Sequence, residues 1–173
     1  MPLVKNSRIV EDAYLRVADD EALPDGPVIV SAARLLTESD ALRGRAAPVG
    51  VLWPNDRRIE ELQRHLGWLD LVALSFPKFR DGRAYSQARL VRERYGFAGE
   101  LRATGQVLRD QFLFMLRAGF DAFEVTKEAD ALAFPEAARR YSVFFQPAAD
   151  ARANVFRERT LRSVGKDAAA AAV

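Results

Sequence analysis

The chain has no cysteine and only one histidine, His65, among its 173 residues. Without cysteine it cannot form a disulfide, present a thiol nucleophile, carry a redox dithiol pair or hold an iron–sulfur cluster through sulfur. A zinc site would need carboxylates for nearly all of its ligands, which is unusual. A catalytic triad based on histidine could use only His65. Any redox chemistry would therefore pass through an organic cofactor or a partner.

Long hydrophobic runs and the common nucleotide motifs are also absent. No stretch of about 18 apolar residues occurs, so no membrane span is expected. Residues 1–5 lack the apolar core of a signal peptide, and we expect a cytoplasmic protein. The patterns GxGxxG, GxxxxGK[ST] and GxSxG do not occur, which argues against a dinucleotide fold, a P-loop nucleotidase and an α/β-hydrolase. We predict no cofactor and no metal site.

The charge of the chain is nearly balanced overall but uneven along its length. It has 26 basic and 24 acidic residues, and residues 75–117 carry nine basic against four acidic groups. No nucleic-acid motif accompanies this local excess, so nucleic-acid binding is not predicted. An excess of this kind suits a small anion or an acidic partner surface.

Short apolar runs alternate with helical patterns after Pro27, at intervals of about 20 to 25 residues. We predict an irregular β lead-in over 1–27, with a turn at Asn6-Ser7. The predicted strands are 28–30, 48–53, 71–74, 100–103, 120–125 and 142–145. The predicted helices are 32–38, one starting at 54–56 and reaching residue 66, 84–95, 106–118 and 127–140, the last kinked or ended by Pro135.

This alternation predicts an α/β fold of repeated βα units, with a mostly parallel sheet and helices on both faces. An open three-layer sheet and a partial β/α-barrel both fit, whereas a complete eightfold barrel needs about 200 residues or more. We expect one domain over 1–160 and a disordered Ala-rich tail over 161–173. The 106–118 helix is apolar on more than one face, which predicts burial or contact with a second copy of the chain.

A candidate binding site follows from the rule that ligands of parallel α/β folds lie beyond the carboxyl ends of the strands. Cations and helix N-termini at that edge favour an anion. Asp81, Ser86 and Arg102 are predicted to order the site. No catalytic residue is predicted. The site expected to bind an anion or a partner consists of Lys78, Arg80, Asp81, Arg83, Ser86, Arg102 and Lys127.

The central block carries a family resemblance. The strings SFPKFRDGRAYSQAR and YGFAGELRATG, followed by LRDQ and GFDAF, resemble a bacterial family encoded beside the genes for assimilatory sulfite reductase. Proteins of that family are often labelled as oxidoreductases of sulfite reduction. The similarity covers roughly residues 1–160.

What the resemblance implies is limited by the absence of cysteine. Sulfite reductase itself resembles siroheme and iron–sulfur proteins with cysteine ligands, and this chain cannot hold such a centre. The resemblance therefore implies an accessory protein of assimilatory sulfite reduction, with sulfite reductase as its partner. The alternative is a metal-independent enzyme that acts on a small acidic metabolite through Lys78 and Asp81.

Overall fold

The strands of the chain form one eight-stranded sheet, seen in a computed structural model that describes residues 1–150, 152 and 154–160. Their order across the sheet is β2-β1-β8-β7-β6-β5-β4-β3. Neighbouring strands from β3 to β8 run parallel, and β1 pairs antiparallel with both β2 and β8. The strands are β1 Leu3–Lys5, β2 Arg8–Val10, β3 Leu15–Arg16, β4 Val28–Ser31, β5 Val49–Trp53, β6 Leu71–Phe76, β7 Glu100–Gly105 and β8 Ala122–Glu124.

Helices and tighter or wider helical turns lie between the strands and after β8. We label the α-helices α1 Ala32–Thr37, α2 Ser39–Arg43, α3 Arg83–Arg89, α4 Phe112–Ala118 and α5 Glu128–Arg139, and residues 155–160 are also helical. Segments Ile59–His65 and Arg109–Gln111 are 3₁₀-helical, and Leu90–Arg94 continues α3 as a π-helix. The connections differ from one strand to the next, so a repeating βα unit is not established. No helix in the described part of the chain is long and apolar enough to cross a membrane.

The sheet curls because a short segment joins its two opposite edges. Strands β2 and β3 are the edge strands, yet only residues 11–14 separate them in the sequence. The five Cα–Cα steps from Val10 to Leu15 span at most about 18 Å. Eight flat strands spaced by about 4.8 Å would hold the edges about 34 Å apart. The sheet is therefore a curled half-barrel, and residues 11–14 cross its concave side.

The α-helices pack on one face of the sheet. The buried side chains of α1 to α5 join those of alternate strand positions in one large core cluster. Within it the rings of Phe112, Phe123 and Phe134 lie with centroids 4.6–5.9 Å apart. The concave face carries a separate small cluster of Ile29, Leu71 and Ala73, to which none of these helices contributes. The expectation of helices on both faces is therefore wrong, because residues 11–14 and charged side chains occupy the second face.

Several boundaries differ from the sequence predictions. Residues 142–145 form no strand, and Val143 and Phe145 are exposed. Helix α5 does not end at Pro135, because Phe134 and Ala138 on either side of it are buried in the core. The predicted 106–118 helix shortens to a 3₁₀ turn followed by α4. The predicted Ala-rich tail, 161–173, lies outside the described residues.

Segment 1–27 contains three short strands, β1, β2 and β3, and the turn predicted at Asn6-Ser7 is present. Strands β1 and β2 form a hairpin in which Lys5 pairs with Arg8 across a two-residue turn. Both turn residues, Asn6 and Ser7, have positive φ angles, 52° and 60°. Two positive φ angles define the turn type whose twist matches a two-residue hairpin.

Candidate functional site

The loop between β6 and α3, residues 77–82, carries two of the cations that the sequence placed at the strand-end edge, Lys78 and Arg80. Lys78 and Arg80 are exposed, and Phe79 between them is 50% exposed. Neither cation forms an ion pair with any residue that the structure describes. The loop therefore presents two unneutralised positive charges on either side of an aromatic ring.

The backbone of this loop is held at several points. The Phe79 N–H donates to Gln106 Oε1 at 2.8 Å, and the Asp81 N–H donates to the Lys78 carbonyl at 2.9 Å. Gly105 permits the close packing, because its φ is 95° and an added Cβ would lie 2.5 Å from the Phe76 carbonyl oxygen. A side chain there would clash with the end of β6. The end of β7 thus fixes the position of loop 77–82.

Arg83 is neutralised inside the loop. Its Nε and Nη2 donate to the two Asp81 carboxylate oxygens at 2.9 and 2.7 Å, and Nη2 also lies 3.4 Å from Asn55 Oδ1. The hydrogen bond from Arg83 lowers the pKa of Asp81 well below its usual range. Asp81 is therefore ionised at neutral pH and serves as the counter-ion of Arg83. Arg83 holds the loop in place and adds no free charge to the edge.

Two other predicted residues lie at the same side of the sheet without contacting the loop. Ser86 is exposed on α3, and Lys127 is exposed immediately before α5. Neither side chain forms a hydrogen bond or ion pair with residues 77–82 in the described part of the chain. The structure therefore brings together Lys78, Arg80, Asp81 and Arg83, and leaves Ser86 and Lys127 apart from them.

Arg102 lies elsewhere. It occupies the middle of β7 on the concave face, is 1% exposed, and makes its ion pairs away from loop 77–82. The prediction that it orders the strand-end site is not met, because alternation along β7 turns its side chain to the concave face. It is the centre of what we call the buried charge cluster: Lys5, Asp12, Arg16, Glu100, Arg102 and Glu124.

The buried charge cluster is internally paired. Arg102 contacts Asp12 at 2.6 Å, Glu100 at 2.7 Å and Glu124 at 3.1 Å. Lys5 pairs with Glu100 at 2.8 Å, and Arg16 pairs with Glu124 at 2.5 Å. Three cations thus face three carboxylates. Such pairing permits Arg102, Glu100 and Glu124 to stay ionised out of water, whereas the side chains of Lys5, Asp12 and Arg16 are partly exposed.

The pairing controls ionisation within the cluster. Burial raises the pKa of Asp12, but hydrogen bonds from Arg102 and from the Tyr14 N–H outweigh it and bring the pKa below its ordinary value. For Glu124, burial is likewise outweighed by the Thr104 hydroxyl and by Arg16, so its pKa is also lowered. Both carboxylates are therefore ionised at neutral pH.

Sequence reasoning missed most of the buried charge cluster. A signal existed in β7, where Glu100, Arg102 and Thr104 alternate with apolar residues. That pattern indicates a strand with one polar face, and Glu124 on the neighbouring strand extends the face. Asp12 and Arg16 carried no such signal, because they follow an irregular segment at the far edge of the sheet.

A third feature is a groove between α4 and α5. Its volume is about 430 Å³, and it is lined by Arg109, Asp110, Leu113, Phe114, Glu136, Ala137, Arg140 and Tyr141. Phe112 and Met115 of α4 are fully buried, whereas Phe114 is 62% exposed. Most of α4 is therefore covered by its own fold, and contact with a second copy through this helix stays a prediction.

Among the described residues, no three or more His, Asp or Glu side chains are placed so that they could hold a metal ion. No curated protein matches the chain significantly. A family model described as a bacterial protein of unknown function (DUF934) matches residues 50–156. The match includes loop 77–82 and the β7 and β8 members of the buried charge cluster, whereas Asp12 and Arg16 lie before it.

Proposed function

The chain belongs to this family of bacterial proteins of unknown function, and we propose that it is an accessory protein that docks an acidic protein partner through loop 77–82. The observation that carries the proposal is the arrangement of that loop. Lys78 and Arg80 lack ionic partners among the described residues and flank the half-exposed ring of Phe79. Cations and an aromatic side chain in one loop match the chemistry of protein interfaces.

The aromatic ring favours a protein partner over a free anion. A small anion needs hydrogen-bond donors and positive charge, and gains little from an exposed phenylalanine. Protein interfaces are enriched in aromatic residues and arginine, and such residues carry much of the binding energy. Lys78 and Arg80 would then attract an acidic surface and orient it, while Phe79 anchors the contact.

The hydrogen bonds within the loop support the same function. Gln106 holds the Phe79 N–H, and Asp81 and Arg83 pair at the start of α3. A loop already fixed in the free protein loses less conformational freedom on binding. Asp81 and Arg83 therefore position the three docking side chains and are not themselves the contact.

The proposed partner is sulfite reductase, and the proposed setting is assimilatory sulfite reduction in the cytoplasm. Both come from the family resemblance in the central block of the sequence. The partner must present an acidic surface, which makes the proposal specific. No observation favours the alternative of a metal-independent enzyme, because Asp81 is committed to Arg83.

A pull-down from native cells grown on sulfate tests the proposal. The tagged protein should retain sulfite reductase. The variant Lys78→Glu/Arg80→Glu should retain at least about tenfold less of it than wild type does. The matched control is Arg43→Glu/Arg139→Glu, which reverses two exposed cations elsewhere and should leave the yield unchanged. Retention should also fall as salt increases, because exposed charges are screened.

Three outcomes would overturn the docking proposal. Equal loss in the control variant would show a general charge effect, and equal retention in both variants would show that the loop is not the contact. Saturable binding of sulfite to the isolated protein, lost in Lys78→Glu/Arg80→Glu, would assign the loop to a small anion. Phe79→Ala separates the cases further, since it should weaken the protein contact and leave anion binding intact.

A further inference from the structure

One carboxylate of the buried charge cluster comes from outside the sheet. Asp12 lies in the connecting segment 11–14, which belongs to no helix or strand and whose first three residues are exposed. Its two oxygens accept hydrogen bonds from the two terminal nitrogens of Arg102, at 2.6 Å from Nη1 and 3.1 Å from Nη2. This is the bidentate geometry with which arginine binds a free carboxylate.

The rest of the cluster holds Arg102 in place without Asp12. Glu100 accepts from Nε at 2.7 Å, and Glu124 accepts from Nη1 at 3.1 Å. Both carboxylates belong to the sheet, and each has a second cation, Lys5 or Arg16. If the Asp12 carboxylate moves away, three cations face two carboxylates. The cluster then carries one uncompensated positive charge and an open guanidinium edge.

The surroundings of that open edge are apolar on one side. Arg102 is paired in register with Ala73 of β6, and Ala73 belongs to the concave cluster with Ile29 and Leu71. Tyr14 packs against this cluster, and the Arg102 guanidinium lies 5.7 Å from the centroid of its ring. The segment 11–14 thus places a carboxylate and an aromatic ring together on the concave face.

We propose that the concave face is a binding site for a small carboxylate, and that Asp12 fills it in this structure as an internal stand-in. Arg102 binds the carboxylate group. Ile29, Leu71 and Ala73 are buried beneath Tyr14 and Leu52 in this structure, and displacement of residues 11–14 uncovers them to receive the apolar part of the molecule. Glu100 and Glu124 orient Arg102. The three cations of the cluster exceed these two carboxylates by one positive charge, which attracts the ligand. The site is separate from loop 77–82, so it does not depend on the docking proposal.

The tethered Asp12 also lowers the affinity of the wild-type protein for an external carboxylate. A carboxylate on the same chain competes at a high effective concentration, so an external carboxylate must displace residues 11–14. The wild-type protein should therefore bind acetate at least about tenfold more weakly than a variant in which the fork of Arg102 is empty.

Acetate is the probe, and the thermal unfolding midpoint is the readout. In Asp12→Ala the fork is open, and acetate should raise the midpoint saturably, by about 4 °C at tens of millimolar, relative to sodium chloride of equal ionic strength. Glu11→Ala removes the neighbouring exposed carboxylate and should show no such response. Asp12→Asn keeps one acceptor oxygen opposite Arg102 but loses the charge and the second acceptor, so its response should lie between those of wild type and Asp12→Ala.

The variants keep the proposal testable even where folding is weakened. If Asp12→Ala folds only in acetate, that recovery at constant ionic strength is the expected response in another form. If acetate does not change the unfolding midpoint of Asp12→Ala, the proposal is overturned and Asp12 is only a structural ion-pair partner of Arg102. An equal response in Glu11→Ala also overturns it, because the effect would not come from the Arg102 fork.

Discussion

Replacing Arg102 by methionine tests how far the buried charge cluster stabilises the half-barrel. Arg102 is 1% exposed and holds three carboxylates at 2.6 to 3.1 Å. Removing one partner of a buried ionic group costs about 3–5 kcal/mol. Glu100 and Glu124 keep Lys5 and Arg16, so the lower end applies, and we expect the free energy of unfolding to fall by about 3 kcal/mol.

Urea unfolding at pH 7 measures this loss. With an m-value near 2 kcal/mol/M, about 3 kcal/mol moves the midpoint by roughly 1.5 M. The pKa values of Asp12 and Glu124 are lowered in the folded protein, so their stabilisation is present at neutral pH and is lost as pH falls through those lowered values. The gap between wild type and variant should therefore narrow below about pH 4.

A matched control separates burial from the mere loss of an arginine. Arg89→Met removes an exposed arginine that pairs with Glu93 one turn away, and should cost less than about 0.5 kcal/mol. A loss below about 1 kcal/mol for Arg102→Met would refute the reasoning. It would mean that the carboxylates relax into water when their central cation is removed.

Three further predictions concern single positions. Gly105→Ala should destabilise the fold by more than about 2 kcal/mol in urea, since φ is 95° and the new Cβ meets the Phe76 carbonyl; a loss below 1 kcal/mol would contradict this. Burial lowers the pKa of His65, whose Nε2 accepts from Arg64 Nε, so stability should fall as pH drops below about 6.5, by at most about 1.4 kcal/mol per pH unit. Chemical unfolding of His65→Gln across pH 5–7 should lack this slope. Ser7→Gly should raise the free energy of unfolding by up to about 1 kcal/mol, and with it the thermal midpoint, since Ser7 has φ 60°. A lowered midpoint would show that the serine side chain stabilises the turn by more than the backbone strain costs.

Local patterns predicted most of the strand framework. The buried runs at β4, β5 and β6 are continuous and apolar, so their positions follow from composition alone. The hairpin of β1 and β2 followed from a turn pair between two short apolar runs. The prediction of a strand over 142–145 was wrong. Val143 and Phe145 are typical strand residues, but this segment pairs with no strand of the sheet.

The candidate site was predicted only where it is local in sequence. Lys78, Arg80, Asp81 and Arg83 lie within six residues, so one loop brings them together. Arg102 depends on contacts 90 residues away, to Asp12, and 22 residues away, to Glu124. Pairing of β7 with β8 brings Glu124 beside Arg102, and the curl of the sheet brings Asp12 to it. Without the curl, alternation along β7 shows that Arg102 faces away from the core, but not what it faces.

The pairing of β1 with β8 has a consequence for the order in which the parts of the protein can fold. Strand β1 has no neighbour but β2 until β8 exists, because Leu3 pairs with Glu124 and Val4 with Phe123. Contacts this distant in sequence make folding slow. During synthesis, β1 is made well before its partner β8, so the half-barrel can close only after residue 124 has left the ribosome. The edge of the sheet formed by β1 and β2 is therefore completed only after β8 has been made.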